Sequence, residues 1–491
     1  MSSKSPSKSP SKPRVAALVG PYLSGKTSLL ESMLATAGAI QRKGSIKEGN
    51  TVGDATPEAR KRRMSTEISI ATADYLGEEW TFIDCPGSIE LAQDAHNALM
   101  VADVAVIVCE PDVDKAMTVS PLFRFLDAHD IPHLIFINKM DVAKMGVKET
   151  LDALQSVSER PLVLREIPIR GDGGVTGHVD LVSKRAFQWS EKKPSELMTL
   201  PESDLSREQE ASSEMLESLA DFDDALLESL LEDAVPPTDE VYATLARDLQ
   251  QDLIVPVFFG SAEQSNGIRR LLKALRHEAP EAAETAERLF LEIDSGCTTV
   301  QVFKTLHAGH TGKLSLARVW SGLVTDGQVF GGKKISGLNR VFGQKLDKIK
   351  KAAAGEVVAL GRMNGVATGD LLSACGGISS APWPEPLKPL FSLAIHAENR
   401  SDEVKLSGAL AKIIDEDPSI STESSPDTGE LLLWGQGEMH LLIALDRLKG
   451  RYNMAVASGR SQVPYKETIR KPISRHARHK KQSGGHGQFA D

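Results

Sequence analysis

Gly20-Pro21-Tyr22-Leu23-Ser24-Gly25-Lys26-Thr27 follows the apolar run Val15-Ala16-Ala17-Leu18-Val19 and precedes Ser28-Leu29-Leu30-Glu31-Ser32-Met33-Leu34. This order predicts a buried strand, a glycine turn and a helix. Glycine tolerates positive φ and lacks a Cβ, so backbone N–H groups and a helix N-terminus can converge on one anion. Phosphate is therefore the predicted ligand, held by Gly20, Ser24, Gly25 and Ser28, with Lys26 reaching the β and γ phosphates and Thr27 the Mg²⁺.

Two further segments identify the rest of that ligand. Trp80-Thr-Phe-Ile-Asp84-Cys-Pro-Gly87 ends a second apolar strand with a carboxylate suited to hold Mg²⁺ through water, then a glycine whose N–H can sense a γ-phosphate. His133-Leu-Ile-Phe-Ile-Asn138-Lys139-Met-Asp141 is a strand ending in Asn-Lys-x-Asp. There a carboxylate can accept hydrogen bonds from the guanine N1–H and exocyclic amine. Adenine lacks that donor pair, so the expected nucleotide is GTP. Ile254-Val-Pro-Val-Phe-Phe-Gly260-Ser261-Ala262 adds a strand and a small-residue loop whose N–H can meet the guanine O6.

At 491 residues, 41% hydrophobic and 25% charged, the chain has room for several compact domains with proper cores. No apolar stretch approaches the roughly 18 residues a bilayer span needs, and the N-terminus is Ser-Lys-Pro repeats rather than a signal peptide, so the cytoplasm is expected and no membrane partner. Cys85, Cys109, Cys297 and Cys375 have no paired spacing and read as core thiols, without a disulfide framework or zinc site. A net charge of −10 argues against gross nonspecific binding to nucleic acid, and no DNA partner is expected. Arg470 to Lys481 is nevertheless strongly basic and precedes Gly484-Gly485-His486-Gly487. RNA contact is expected there.

Residues 1–13 should be a disordered tail. Residues 14–292 alternate strands and helical patterns, as in a doubly wound parallel α/β sheet; about 160–250 read as an inserted subdomain. Its acidic second half carries Leu216, Leu219, Phe222, Leu226 and Leu230 at helical spacing, a packing face. Residues 293–380 are short alternating strands between glycine turns, which describes a β-barrel. Residues 381–389 are a Pro-rich linker, 390–469 a small α+β layer, and 470–491 the start of another unit.

These residues, together with Asp415-Glu-Asp-Pro-Ser, Gly435-Gln-Gly-Glu-Met-His-Leu441, Tyr465-Lys-Glu-Thr-Ile and Lys480-Lys-Gln-Ser-Gly-Gly-His-Gly-Gln-Phe, resemble elongation factor G, the ribosomal translocase, from residue 14 onward. The resemblance implies a multidomain GTPase: a P-loop α/β domain with an inserted subdomain, a barrel, an α+β third domain, and the ribosome, its RNA and proteins, as partner of a monomer. It gives Lys26, Thr27, Asp84 and Gly87 the phosphate and Mg²⁺, and Asn138, Lys139, Asp141, Ser261 and Ala262 the guanine. Counting from Asp54, the family's Arg-Gly-Ile-Thr falls on Arg62-Arg63-Met64-Ser65, so Ser65 joins Thr27 and Asp84 as a metal ligand, with Thr66 the alternative by a one-residue slip.

Ser88 departs from the pattern, because the family has there the histidine that orients the attacking water. The catalytic set becomes Lys26, Gly87 and Ser88, and slow hydrolysis is expected. Leu23 stands where the family carries an acidic residue. The sequence ends at Asp491, inside what would be a fourth domain, so the chain is expected to be either a fragment of a divergent paralogue or a truncated form that binds ribosomes without moving tRNA. A GTP-gated ribosome-binding module with incidental hydrolysis, or a ribosomal-protection relative, is the other reading.

Overall fold

A computed structural model describes residues 12–490 apart from 144, 172–173, 191–192, 292, 294–295, 309–311 and 482–487. Most of the expected disordered tail, residues 1–11, and Gly484-Gly485-His486-Gly487 lie outside the described residues.

The continuous apolar runs become the middle of one sheet. Its strands are β1 (Arg14–Val19), β2 (Ser69–Tyr75), β3 (Glu78–Asp84), β4 (Val104–Cys109), β5 (His133–Ile137) and β6 (Leu162–Leu164). A separate antiparallel sheet follows, formed by β7 (Glu166–Gly171), β8 (Gly174–Asp180), β9 (Arg185–Ser190) and β10 (Lys193–Met198). The chain then returns as β11 (Val255–Phe259), and the first sheet has the order β2-β3-β1-β4-β5-β11-β6. Its neighbours pair in parallel except β2 with β3, a departure from the wholly parallel sheet expected. The cause is local. Leu76 and Gly77 both adopt positive φ, 54° and 84°, making a tight hairpin that sends the chain straight back beside itself.

Helices α1 (Lys26–Ala37), α2 (Pro57–Arg62) and α3 (Ala92–Val101) lie close to the nucleotide motifs. The helices at Glu202–Ala220, Asp224–Leu231 and Thr238–Gln250 cover the second sheet through Met215, Leu219, Leu226 and Leu245. Of the packing face expected there, Phe222 is 38% exposed. It lies beyond the end of its helix at Ala220, where helical spacing no longer decides what is buried.

After Thr299 the architecture is antiparallel. Seven strands, the longest at Thr299–Ala308 and Gly312–Ser321, surround Val300, Val319, Phe330 and Leu360. A four-stranded sheet then carries the helices Glu403–Glu416 and Glu438–Tyr452, packed through Leu410, Ile413, Leu441 and Leu448. Residues 461–480 are exposed throughout. The multidomain fold class read from the sequence is the one observed.

One cysteine reading needs correction. Cys85 and Cys109 are buried free thiols, but Cys297 and Cys375 pair as a disulfide with Cα atoms 6.1 Å apart. Antiparallel register brings them together, because Thr299 faces Ser373 and each cysteine lies two residues beyond. At a sequence separation of 78, spacing gave no sign of this.

The first sheet and the β-rich unit share one apolar core that includes Val101, Ala286, Phe303, Leu316 and Trp320. Within the junction, the fully buried Asp103 accepts from Val15 N at 2.7 Å, from Arg318 Nη2 at 2.7 Å and from the Thr285 hydroxyl. Arg318 also donates to Val101 O and lies over the Trp320 ring. Asp103→Asn keeps the shape but leaves Arg318 without its counter-charge. It should lower stability by about 3 kcal/mol, read as a drop in the urea midpoint.

Candidate nucleotide site

β1 ends at Val19, and the loop that follows is shaped by its glycines. Gly20 and Gly25 have φ of 135° and 94°; a Cβ at Gly20 would lie 2.2 Å from Val108 O, and one at Gly25 would lie 2.4 Å from Asn138 Nδ2. The loop is thus pressed against the ends of β4 and β5, and α1 starts directly at Lys26. Lys26 folds back, donating to Gly20 O at 3.0 Å and Pro21 O at 2.9 Å. It is 5% exposed, and burial lowers its pKa against the opposing pull of Asp84, Cys85 and Asp54. Gly87 packs onto the same ammonium, since a Cβ there would fall 2.4 Å from Lys26 Nζ. Ser24 is buried and Ser28 half-buried in the first turn of α1.

Thr27 is the hub of the metal side. Its hydroxyl donates to Asp84 Oδ2 at 2.7 Å, lies 3.2 Å from Asp54 Oδ2, and is 3.4 Å from Ser65 Oγ. Asp54 Oδ1 and Asp84 Oδ1 are buried with no hydrogen-bond partner among the described residues. Burial raises the pKa of both carboxyls, that of Asp84 to about 7, with the Asp54 charge adding to the rise. Two converging carboxylates with orphaned oxygens and two hydroxyls form an all-oxygen set suited to Mg²⁺. The Thr66 hydroxyl is also buried with no hydrogen-bond partner among the described residues, while its carbonyl accepts from Arg447 at 3.0 Å.

Metal binding should therefore displace a proton. Asp84, raised above its ordinary value, holds its proton below about pH 7 and loses it above. Loading the metal-free protein with Mg²⁺ and GDP should release about one proton per site at pH 6 and far less at pH 8.5. Calorimetry in two buffers of different ionisation enthalpy reads this directly.

On the base side, Asn138 Nδ2 donates to Ser24 O at 2.9 Å while its Oδ1 accepts from Ala262 N at 2.8 Å. One amide thus ties the phosphate loop to the loop after β11. Lys139, at positive φ, donates to Leu23 O at 2.8 Å and pairs with Glu110. Asp141 is exposed at the rim, and Ser261 is fully buried and bridged to Asn266. The residues singled out from the sequence thus gather at the ends of β1, β3, β5 and β11.

Ser88 stands apart from the phosphate loop contacts. It is half-buried in extended backbone, φ −76° and ψ 134°, and opens the short turn Ile89–Leu91. Ile89, immediately after it, is 74% exposed. Glu90 Oε2 accepts from His440 N at 2.8 Å, at the start of the Glu438–Tyr452 helix. From the same helix Arg447 and Arg451 hold Glu67 at 3.0 and 2.9 Å. Sequence reasoning did not assign Asp54, Glu31, Lys43 or Glu110 to the site. A lone carboxylate or lysine in a loop has no spacing signature, and Asp54 serves in the sequence only as the point from which Ser65 is counted.

A strand, a phosphate loop on a helix N-terminus, paired acidic groups at the metal side and an Asn-Lys-x-Asp rim define a P-loop GTP-binding protein. Residues 12–281 match the elongation factor Tu GTP binding domain family, 387–460 elongation factor G domain III, and 461–491 elongation factor G domain IV. The chain is 48% identical over 479 residues to an elongation factor G-like protein of Synechocystis, covering 97% of this chain and 71% of that protein. It is 29% identical over 489 residues to elongation factor G of Fervidobacterium nodosum, covering 95% and 70%. A crystal structure of a Thermus thermophilus protein superposes with a TM-score of 0.86 at 29% identity, over 97% of this chain and 71% of that one. The chain belongs to the elongation factor G family of translational GTPases, enzymes that hydrolyse GTP with Mg²⁺. Among the described residues no helix is long and apolar enough to cross a membrane.

Proposed function

We propose that this protein binds Mg²⁺·GTP at the ends of β1, β3, β5 and β11, engages the ribosome as a monomer in the cytoplasm, and hydrolyses GTP slowly. Lys26 and the N–H groups of the Gly20–Thr27 loop hold the phosphates, with Ser24 and Ser28 beside them. Thr27, Ser65, Asp84 and Asp54 hold the metal, Asp54 being the addition to the ligand set. Asn138, Lys139, Asp141, Ser261 and Ala262 hold the guanine, and Gly87 senses the γ-phosphate.

The observation that carries this reading is the Thr27 hydroxyl meeting Asp54 and Asp84, beside a Lys26 ammonium held in the phosphate loop against Gly87. Ser88 supports the slow step, because a hydroxyl cannot orient water and take up charge as an imidazole does. It also favours a second reading, a GTP-gated ribosome-binding module whose hydrolysis is incidental. The exposed basic stretch from Arg470 to Lys480 supports RNA as part of the partner.

Co-sedimentation with ribosomes tests the partner. More of the chain should pellet with a non-hydrolysable GTP analogue than with GDP, and the difference should shrink as salt is raised. Equal pelleting with both nucleotides overturns nucleotide-gated ribosome binding.

A further inference from the structure

The segment between α1 and α2 spans the site from its base side to its metal side, and two side chains fasten it. Glu31, in the second turn of α1 and 1% exposed, accepts from Gly44 N at 2.8 Å with one oxygen and from Val52 N at 2.5 Å with the other. A loop of chain is thereby closed on a single buried carboxylate, and Ser45 N donates to Asn50 Oδ1 at 2.7 Å within it. Gly44 has no room for a side chain, since a Cβ would lie 2.8 Å from each of Glu31 Oε2, Asn50 O and Thr51 Cα.

Pinning Gly44 fixes the residue before it. Lys43 Nζ donates to Ala262 O and, at 2.9 Å, to Glu263 O, the two carbonyls that continue the base loop from Ser261. Ser32 Oγ, from α1, donates to the same Ala262 carbonyl. Asp141 is among the carboxylates whose charge acts on the Lys43 ammonium, alongside Glu263 and Glu31. At the other end, Asp54 follows Val52 by two residues and reaches Thr27. The base loop and the metal side are therefore tied through one strap.

We propose that Lys43 is a positioning residue for the guanine pocket, holding the Ser261–Glu263 loop closed over the nucleotide, with Glu31 in turn fixing the segment that carries Lys43. This rests on the reading of the site as a guanine-nucleotide pocket. Nucleotide leaves only when the ammonium releases the two carbonyls and the base loop can move. Losing a charge-assisted hydrogen bond of this kind corresponds to about a tenfold change in an equilibrium or rate.

Release of fluorescent mant-GDP from the full chain, chased with unlabelled GDP, tests it. Lys43→Met, which keeps the stem and removes the charge, should release mant-GDP about tenfold faster with an unchanged association rate and thermal midpoint. Lys43→Arg, still able to donate to both carbonyls, should restore slow release. Glu31→Gln, which can still accept but no longer at both amides, should fall between native and Lys43→Met. Native-like release from Lys43→Met, or faster release that Lys43→Arg fails to restore, overturns the role of Lys43. A native chain that binds mant-ADP as well as mant-GDP overturns the guanine reading itself and this inference with it.

Discussion

Lys26→Ala is expected to reduce GTP hydrolysis by about three orders of magnitude and to weaken mant-GDP binding, while the thermal midpoint of the protein stays near the native value. The ammonium is held inside the phosphate loop by Gly20 O and Pro21 O and lies against Gly87. Those contacts aim it where the β and γ phosphates would sit, and burial makes its charge act through a medium that screens weakly. Binding energy of this type strengthens as charge shifts toward the leaving oxygen, so the hydrolysis rate should fall further than affinity. Stability should change little, because burying an ammonium without its anion carries a desolvation penalty that alanine removes. Phosphate release under single-turnover conditions, beside a mant-GDP titration, separates the two effects. A loss of affinity with the rate at saturating GTP unchanged would place Lys26 in ground-state binding alone.

Ser88→His is expected to raise ribosome-stimulated hydrolysis by about two orders of magnitude, the usual worth of a positioned proton-accepting group. Position 88 can take the ring without backbone strain, since its φ of −76° and ψ of 134° suit any residue. It is also held on both sides: Gly87 packs on Lys26, and Glu90 reaches the backbone N–H of His440 at the start of the Glu438–Tyr452 helix. A side chain fixed between two such anchors gains from orientation as well as chemistry. The increase should appear in the hydrolysis rate at saturating GTP, with mant-GDP affinity unchanged. If Ser88→His leaves the stimulated rate where it was, the missing histidine is not what limits turnover.

The site was legible wherever one short segment carries its own geometry. An apolar run, two glycines and Lys26-Thr27 predict strand, cradle and helix from local rules, and so does a strand ending in Asn138-Lys139-x-Asp141. What escaped was set by contacts between distant residues. The disulfide between Cys297 and Cys375 arises from antiparallel register, and the antiparallel β2 from one hairpin at Leu76-Gly77. Asp103 with Arg318, and Asp94 with Lys304, are buried ion pairs joining the first sheet to the β-rich unit. Each partner alone reads as an ordinary charged residue. Asp54, Glu31 and Lys43 escaped for the same reason, because a loop residue acquires its role only from the wall it meets. Phe222 failed in the opposite way, as an apparent helical position just past a helix end.

The most direct test of a GTP-binding translational GTPase with slowed hydrolysis is phosphate release from prebound GTP by the native chain, with and without saturating ribosomes. The prediction is tight GTP binding with ribosome-stimulated turnover far below that of an elongation factor G carrying the histidine. Native turnover as fast as that enzyme's would contradict the account, since another group would then be orienting the water in place of the residue that Ser88 replaces.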